Sequence, residues 1–347
     1  MTAPLGVGVL GAGPVTQAIH LPTLARLRDK FRVVSIMDVD KSVANSVAAR
    51  AGATATTSED EVLDDPAVDV VAICSPHQFH AAQVEAACAA GKRGILCEKP
   101  FAVSRAEATQ IASVAGSASV ALVVGAMHAY DPAWLNARAK CGELIETAHT
   151  IRSTIVLPFN DRFEDWATEV AGRPTPGPRP DTTDPAVRAA MISGMVMGVT
   201  IHDLPLIRPF APRLERVDFA DFIAPFGGVI SLTASGRYID LVTYMRPLWR
   251  PEWTLDIWGE DCSAHVEFTP SYVHAGSGTA VVRRDGREVH LGPWPSNGYE
   301  AEWAELYDQV AGGAAPRYAL IDLIDDLTYA TDLAEQAAAW LLQGDRA

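Results

Sequence analysis

A chain of 347 residues exceeds the roughly 100 to 200 residues of a single domain, so two domains are expected, each with its own core. Hydrophobic residues at 48% and charged residues at 20% suit a globular chain, and no apolar run reaches the roughly 18 residues of a membrane span. A formal charge of −15 with no basic run repels phosphate backbones, which excludes nucleic acid as the expected partner.

The first residues, "MTAPLGVGVLGAG", lead straight into a strand and turn without the basic start of a signal peptide, so the expected location is the cytoplasm. The five cysteines are scattered and form no Cys-x-x-Cys pair, which predicts neither a disulfide framework nor a zinc knuckle. His77 and His80 alone are a thin ligand set, and no metal is expected.

In chain order, the apolar run 5–10 ends in "GAGPVT", and Ile19, Leu21, Leu24 and Leu27 follow at helical spacing. This reads as strand, turn and helix. Gly11 allows the tight bend and Gly13 lets a backbone approach a pyrophosphate, whose charge then sits at the helix N-terminus formed by Pro14 and Val15. Thr16 stands where the fingerprint has its third glycine, so helix and strand are expected slightly further apart. The next strand, "FRVVSIMD", ends in Asp38, whose carboxylate can accept hydrogen bonds from an adenosine ribose and favours NAD. Lys41 could instead meet a 2′-phosphate, which keeps NADP open.

"VDVVAICSP" is a nearly continuous apolar strand, "HAAQVEAACAAG" a helix closed by Gly91, and "RGILCEKP" another strand. Strands alternating with helices imply a parallel sheet with its ligand at the strands' C-terminal ends. Ser75-Pro76 and Glu98-Lys99-Pro100 fall at such ends, so the Lys99 ammonium is expected at the rim of a cofactor cleft.

These stretches, with "GAMHAYDPAW", "GVTIHDLPLIR", "WTLDIWGEDCSAHVEF" and "YEAEWAELYDQVAGG", resemble the Gfo/Idh/MocA oxidoreductases, the family of glucose-fructose oxidoreductase and inositol dehydrogenase. The resemblance implies an α/β Rossmann domain over residues 1–126 that binds NAD(P). It also implies an α+β domain over 127–347 with a large open-faced antiparallel sheet for substrate binding and oligomer contacts. The implied cofactor set is Gly11, Gly13, Pro14, Val15, Asp38, Ser75, Pro76, His77, His80, Glu98 and Lys99. The implied substrate set is Lys99, Tyr130, Trp166 and His202. The implied partners are a carbohydrate or cyclitol and further copies of the chain, as a homodimer or homotetramer through the second sheet.

After residue 126 the alternation in "TAHTIRSTIVL", "GGVISLTASG", "YIDLVTYM" and "WTLDIWG" predicts antiparallel strands. "AGRPTPGPRPDTTDP" is a loop or oligomer arm, and Asp184-Pro185 the N-cap and first residue of a helix. In relatives that helix often carries an aspartate four residues before a histidine. Here His202 fits the histidine while Gly198 holds the aspartate's place, and Asp203 lies too far around the helix to substitute. Asp131 and Asp161 are further candidates, and Pro205 is expected to bend or end the helix.

Oxidising a secondary alcohol needs a group that takes the hydroxyl proton; His202, with an unperturbed pKa of about 6.5, suits the base, and Lys99 suits holding the oxygen. With five lysines in the chain against 23 arginines, a lysine here is no casual basic choice, since an arginine could not give up a proton. His77 stands where relatives usually have asparagine, and Ala129 near a position where they often have a basic residue. Trp249 and Trp253, with Arg246 and Arg250, suit either a sugar face or packing. Two other activities fit the same residues: a non-redox dinucleotide sensor or regulator, which Gly198 favours, and glycoside hydrolysis or elimination assisted by a retained NAD.

Overall fold

Every side chain of Leu5–Leu10, the first strand β1, is buried. The computed structural model describes residues 3–175, 177–178, 180–248 and 250–344. The chain divides into two compact units. One holds Met1–Ala126, Phe163–Thr175 and Tyr299–Leu327; the other holds Met127–Arg162, Pro176–Gly298 and Thr328–Ala347. A single cut at residue 126 assigns Phe163–Thr175 and Tyr299–Leu327 to the second domain, whereas they group with the first unit.

In the first unit β1 is joined by β2 (Phe31–Met37), β3 (Thr54–Thr56), β4 (Val70–Ile73), β5 (Gly94–Glu98) and β6 (Ala121–Gly125). All pairs are parallel, in the order β3-β2-β1-β4-β5-β6. β1, β4 and β5 read as apolar runs because a parallel sheet is covered on both faces. The order reverses between β1 and β4, which opens a crevice at their C-terminal ends, the usual place for a dinucleotide. Asp40, Ser58 and Ser104 cap the helices that follow by accepting backbone N–H bonds. The helix Gly298–Gly312 packs Trp303 edge-on to Phe31 at 5.1 Å between centroids. Gly94 makes room for it, since a Cβ there would lie 2.7 Å from Val310 and 2.9 Å from Leu306.

The second unit carries β7 (Thr150–Leu157), β8 (Leu214–Phe222), β9 (Phe226–Ala234), β10 (Arg237–Met245), β11 (Glu252–Trp258), β12 (Cys262–Glu267), β13 (Thr279–Arg284) and β14 (Arg287–Leu291). Their order is β14-β13-β12-β11-β7-β10-β9-β8. The pairing is antiparallel except for β7 with β10, which run parallel over Thr150–Leu157. Burial alternates along β7 and β10, so one face forms a core and the other is half-exposed.

Asp184 accepts from Ala186 N and Pro185 opens the helix Pro185–Gly198, as the sequence predicts. The helix does not continue to His202. It stops at Val199, whose φ is −125°, and Thr200–His202 is a separate 3₁₀ turn. Pro205 starts the short helix Leu204–Ile207 rather than ending one, because proline suits a first turn whose N–H lacks a partner anyway. Among the described residues of 173–183 there is neither helix nor strand; Pro176 and Arg179 lie outside the described residues. No described helix is long and apolar enough to cross a membrane.

Candidate cofactor and proton-transfer site

Gly11 has φ +96°, and a Cβ on it would lie 2.7 Å from Ser75 N and 2.8 Å from the Cys74 carbonyl. Glycine is therefore demanded twice, by the left-handed backbone and by the close approach of the β4 end. A Cβ at Gly13, by contrast, would meet nothing within 4 Å, so this side of the turn is an open cradle of the kind a pyrophosphate fills. Asp38 braces the turn: one carboxyl oxygen accepts from Ala12 N at 2.8 Å and the other from Asp40 N at 2.9 Å. Thr16 donates to the Gly11 carbonyl at 2.5 Å, and the helix opens as a π turn over Thr16–His20. Gln17 ties the turn to Phe163–Thr175, bonding the Ala12 and Ala171 carbonyls at 2.7 and 2.9 Å. Pro14 and Val15 are half-buried at the helix start, and Lys41 is exposed.

At the end of β4, Ser75 donates to Gln83 at 2.6 Å, and Pro76 and His77 are exposed. His80 is 1% exposed, and its ring nitrogens lie 2.8 Å from the Ser75 carbonyl and 3.0 Å from the Pro100 carbonyl. It thus braces two strand ends from below. Burial pushes its pKa down, against the pull of the two carbonyls.

At the end of β5, one Glu98 oxygen meets His20 Nε2 at 2.9 Å and the other accepts from Lys99 N at 3.2 Å. Trp303 donates its indole N–H to His20 Nδ1 at 3.1 Å. Burial lowers the His20 pKa while Cys74 and Glu98 together raise it further than that. The indole contact nevertheless favours the singly protonated ring, because Trp303 offers no acceptor for a second imidazole proton. Burial alone would raise the Glu98 pKa, but His20 and Lys99 outweigh it and hold the group ionised. Burial pushes the Lys99 pKa down, against the opposing pull of Glu98. An amine so placed gives up its proton more readily than one in water.

In the second unit, His202 is half-buried, its ring 5.6 Å from Trp253 and 6.2 Å from His128. Asp203 is fully buried and accepts from Trp253 Nε1 at 2.9 Å, His128 Nδ1 at 3.2 Å and Ser153 Oγ at 2.6 Å. It is a structural hub, and the helical argument that set it apart from Gly198 does not apply, because the helix ends before it. Trp253, at 1% exposure, is core; Trp249 lies outside the described residues. Asp131 is buried and caps the helix Pro132–Lys140, accepting from Ala133 and Gly278, whereas Asp161 is exposed at a helix start. Tyr130 is 4% exposed. Trp166, in the first unit, is 67% exposed and edge-on to Phe163. Among the described residues no group of three or more His, Cys, Asp or Glu could hold a metal.

The glycine turn, the bracing aspartate and the parallel sheet agree with the comparison of residues 5–126 to known families, which match the GFO_IDH_MocA model, "Oxidoreductase family, NAD-binding Rossmann fold". This NAD(P)-binding Rossmann domain belongs to the Gfo/Idh/MocA family. Inositol 2-dehydrogenase 1 of Saccharopolyspora erythraea is 36% identical over 133 residues, 38% of this chain and 39% of that protein. The matches span 38% to 50% of the length of the first curated relatives. Among solved structures, UDP-N-acetylglucosamine 3-dehydrogenase of Acidithiobacillus ferrooxidans has a TM-score of 0.75 at 20% identity, covering 98% of this chain and 100% of that one. KijD10, a 3-ketoreductase of Actinomadura kijaniata in complex with NADP and TDP-benzene, has a TM-score of 0.72 at 18% identity, covering 96% and 98%. At these identities the likeness is one of fold.

Sequence reasoning missed His20 and Glu302 beside Glu98, and His128 beside Asp203. The stretch "YEAEWAELYDQVAGG" held the first signal, a Glu-Trp pair at 302–303 in a Rossmann-associated helix.

Proposed function

We propose that the protein is an NAD(P)-dependent oxidoreductase exchanging a hydride between the nicotinamide and a secondary alcohol or ketone of a sugar, sugar derivative or cyclitol. The observation that carries this is Lys99: a lysine at the C-terminal end of a Rossmann strand, its pKa pushed down by burial, beside an ionised glutamate. When bound, the dinucleotide supplies or accepts the hydride. The turn at Gly11 and Gly13 cradles its phosphates, Asp38 meets the adenosine ribose and favours NAD, and Ser75, Pro76 and His77 border its other end. Lys99 holds the reacting oxygen and exchanges its proton; His202 is the second proton-transfer group, and Tyr130 and Trp166 contribute to substrate binding. The chain assembles as a homodimer or homotetramer through the second sheet.

A panel of sugars, uronic acids and inositols with NAD and with NADP, followed by absorbance of the reduced cofactor, tests the reading. Reduction with at least one polyol is the expected result. Binding without any turnover would favour the sensor or regulator, the reading that Gly198 supports. Product formation on a retained NAD without net reduction would favour hydrolysis or elimination.

A further inference from the structure

Glu302, on the helix Gly298–Gly312, is 1% exposed, and neither of its buried carboxyl oxygens meets a hydrogen-bond partner. An ionised carboxylate so placed is costly enough that such groups take up a proton instead. The site is close to the chemistry: the next residue, Trp303, donates to His20, and His20 in turn meets Glu98. Burial raises the Glu302 pKa well above the ordinary carboxyl value and the Glu98 charge raises it further; a His20 cation would oppose this, but the indole contact disfavours that cation. Lys99, Cys97 and His80 also face Glu98, and Cys74 lies against His20 and Cys97. On the helix itself Glu300 is tied to Arg26 and Glu305 to Arg317.

We propose that Glu302 and Glu98 form a carboxyl pair carrying one proton, kept on Glu302, and that this pair sets how readily Lys99 releases its own proton. Two neighbouring carboxyl groups resist being ionised together, so the proton lost from one is held by the other. With Glu302 neutral, Lys99 feels one anion, and burial can hold its pKa down. Loss of the Glu302 proton would add a second anion and pull the Lys99 pKa back up. Glu302 is thus a positioning residue that acts through charge, and its role rests on the reading of Lys99 as the proton-exchanging group.

The test has two arms. The first uses the free protein and needs no turnover: infrared difference spectra of the parent against Glu302→Leu, read at the deuterium-sensitive C=O stretch of a carboxylic acid. Leucine is chosen because it leaves no polar atom to bury. The expected result is a Glu302-dependent acid band at pH 7 whose titration midpoint falls by about one pH unit or more, a tenfold change in proton affinity, in Glu98→Gln. No such band, or a midpoint unmoved in Glu98→Gln, would overturn the pair. A merely structural Glu302 predicts that unmoved midpoint. The second arm is the pH profile of kcat on the substrate found by the panel. In the oxidising direction Glu302→Gln, neutral at every pH like the protonated acid, should keep the parent's rising limb, whereas Glu98→Gln, which removes the one anion that Lys99 feels, should move it to lower pH; a limb moved by Glu302→Gln would mean an ionised Glu302, and one unmoved by Glu98→Gln would remove the link to Lys99. If no substrate turns over, the infrared arm still decides the pair, and the failure belongs to the reading of Lys99.

Discussion

Lys99 and Asp38 were both legible as residue types at strand ends, because an ammonium or carboxylate just after an apolar run needs a reason. What the sequence could not give was their surroundings: Ala12 N lies 26 positions from Asp38, and Trp303 lies 283 positions from His20, separations that leave no periodic trace. Those surroundings sharpen two predictions. Lys99→Ala should lower kcat by about two orders of magnitude or more, the usual scale for a positioned proton-transfer group, with little change in dinucleotide affinity. In the alcohol-oxidising direction the parent rate should climb with pH as the depressed Lys99 pKa is approached from below, since the neutral amine is the acceptor; the variant should lose that climb. Parent-like turnover by Lys99→Ala would reject its assignment. For Asp38, fluorescence titration should show NAD binding more tightly than NADP, because a carboxylate repels a 2′-phosphate that exposed Lys41 offsets only in part. Equal or tighter NADP binding would reject that preference.

Elements were legible where local pattern and tertiary demand agreed. The run 5–10, the glycines behind it and the Asp184-Pro185 helix start each carry their own signal. The end of that helix did not: "GMVMGVTIHDLP" keeps an apolar helical spacing, yet Val199 leaves helical φ and the chain re-enters as a 3₁₀ turn. The four-residue spacing from Gly198 to His202 therefore does not stack the two on one helical face. Gly198→Asp consequently has a definite expected outcome. A Cβ at 198 meets nothing within 4 Å, so the variant should fold, with at most a small cost from a carboxylate at a helix C-terminus. It should not raise kcat. A rise of about tenfold, equivalent to some 1.4 kcal/mol on the barrier, would mean that the added carboxylate reaches the reacting group despite the break.

For the whole molecule, strand alternation revealed a second sheet but not its order, since β7 pairs with the later β10 and β11 and only tertiary packing sets such non-sequential neighbours. The half-exposed face of that sheet is organised in cross-strand rows. One row runs Ser231, Asp240, Arg152, Asp256 and His265, with Ser231 donating to Asp240 at 2.7 Å and His265 meeting Asp256 at 2.7 Å. The next runs Thr233, Tyr238, Thr150, Trp258 and Ser263, with Tyr238 67% exposed. Paired charges beside an exposed aromatic make a surface able to meet its own copy about a two-fold axis, where the aromatic contributes area and the satisfied polar row needs no new partner. A net charge of −15 opposes association in general, so a contact must come from such a locally balanced patch. Light scattering should therefore give the mass of a dimer or tetramer, and Tyr238→Asp, which sets an unpaired charge on this exposed row, should shift the protein towards monomer without unfolding it. A monomeric parent, or an assembly indifferent to Tyr238→Asp, would move the contact away from this face.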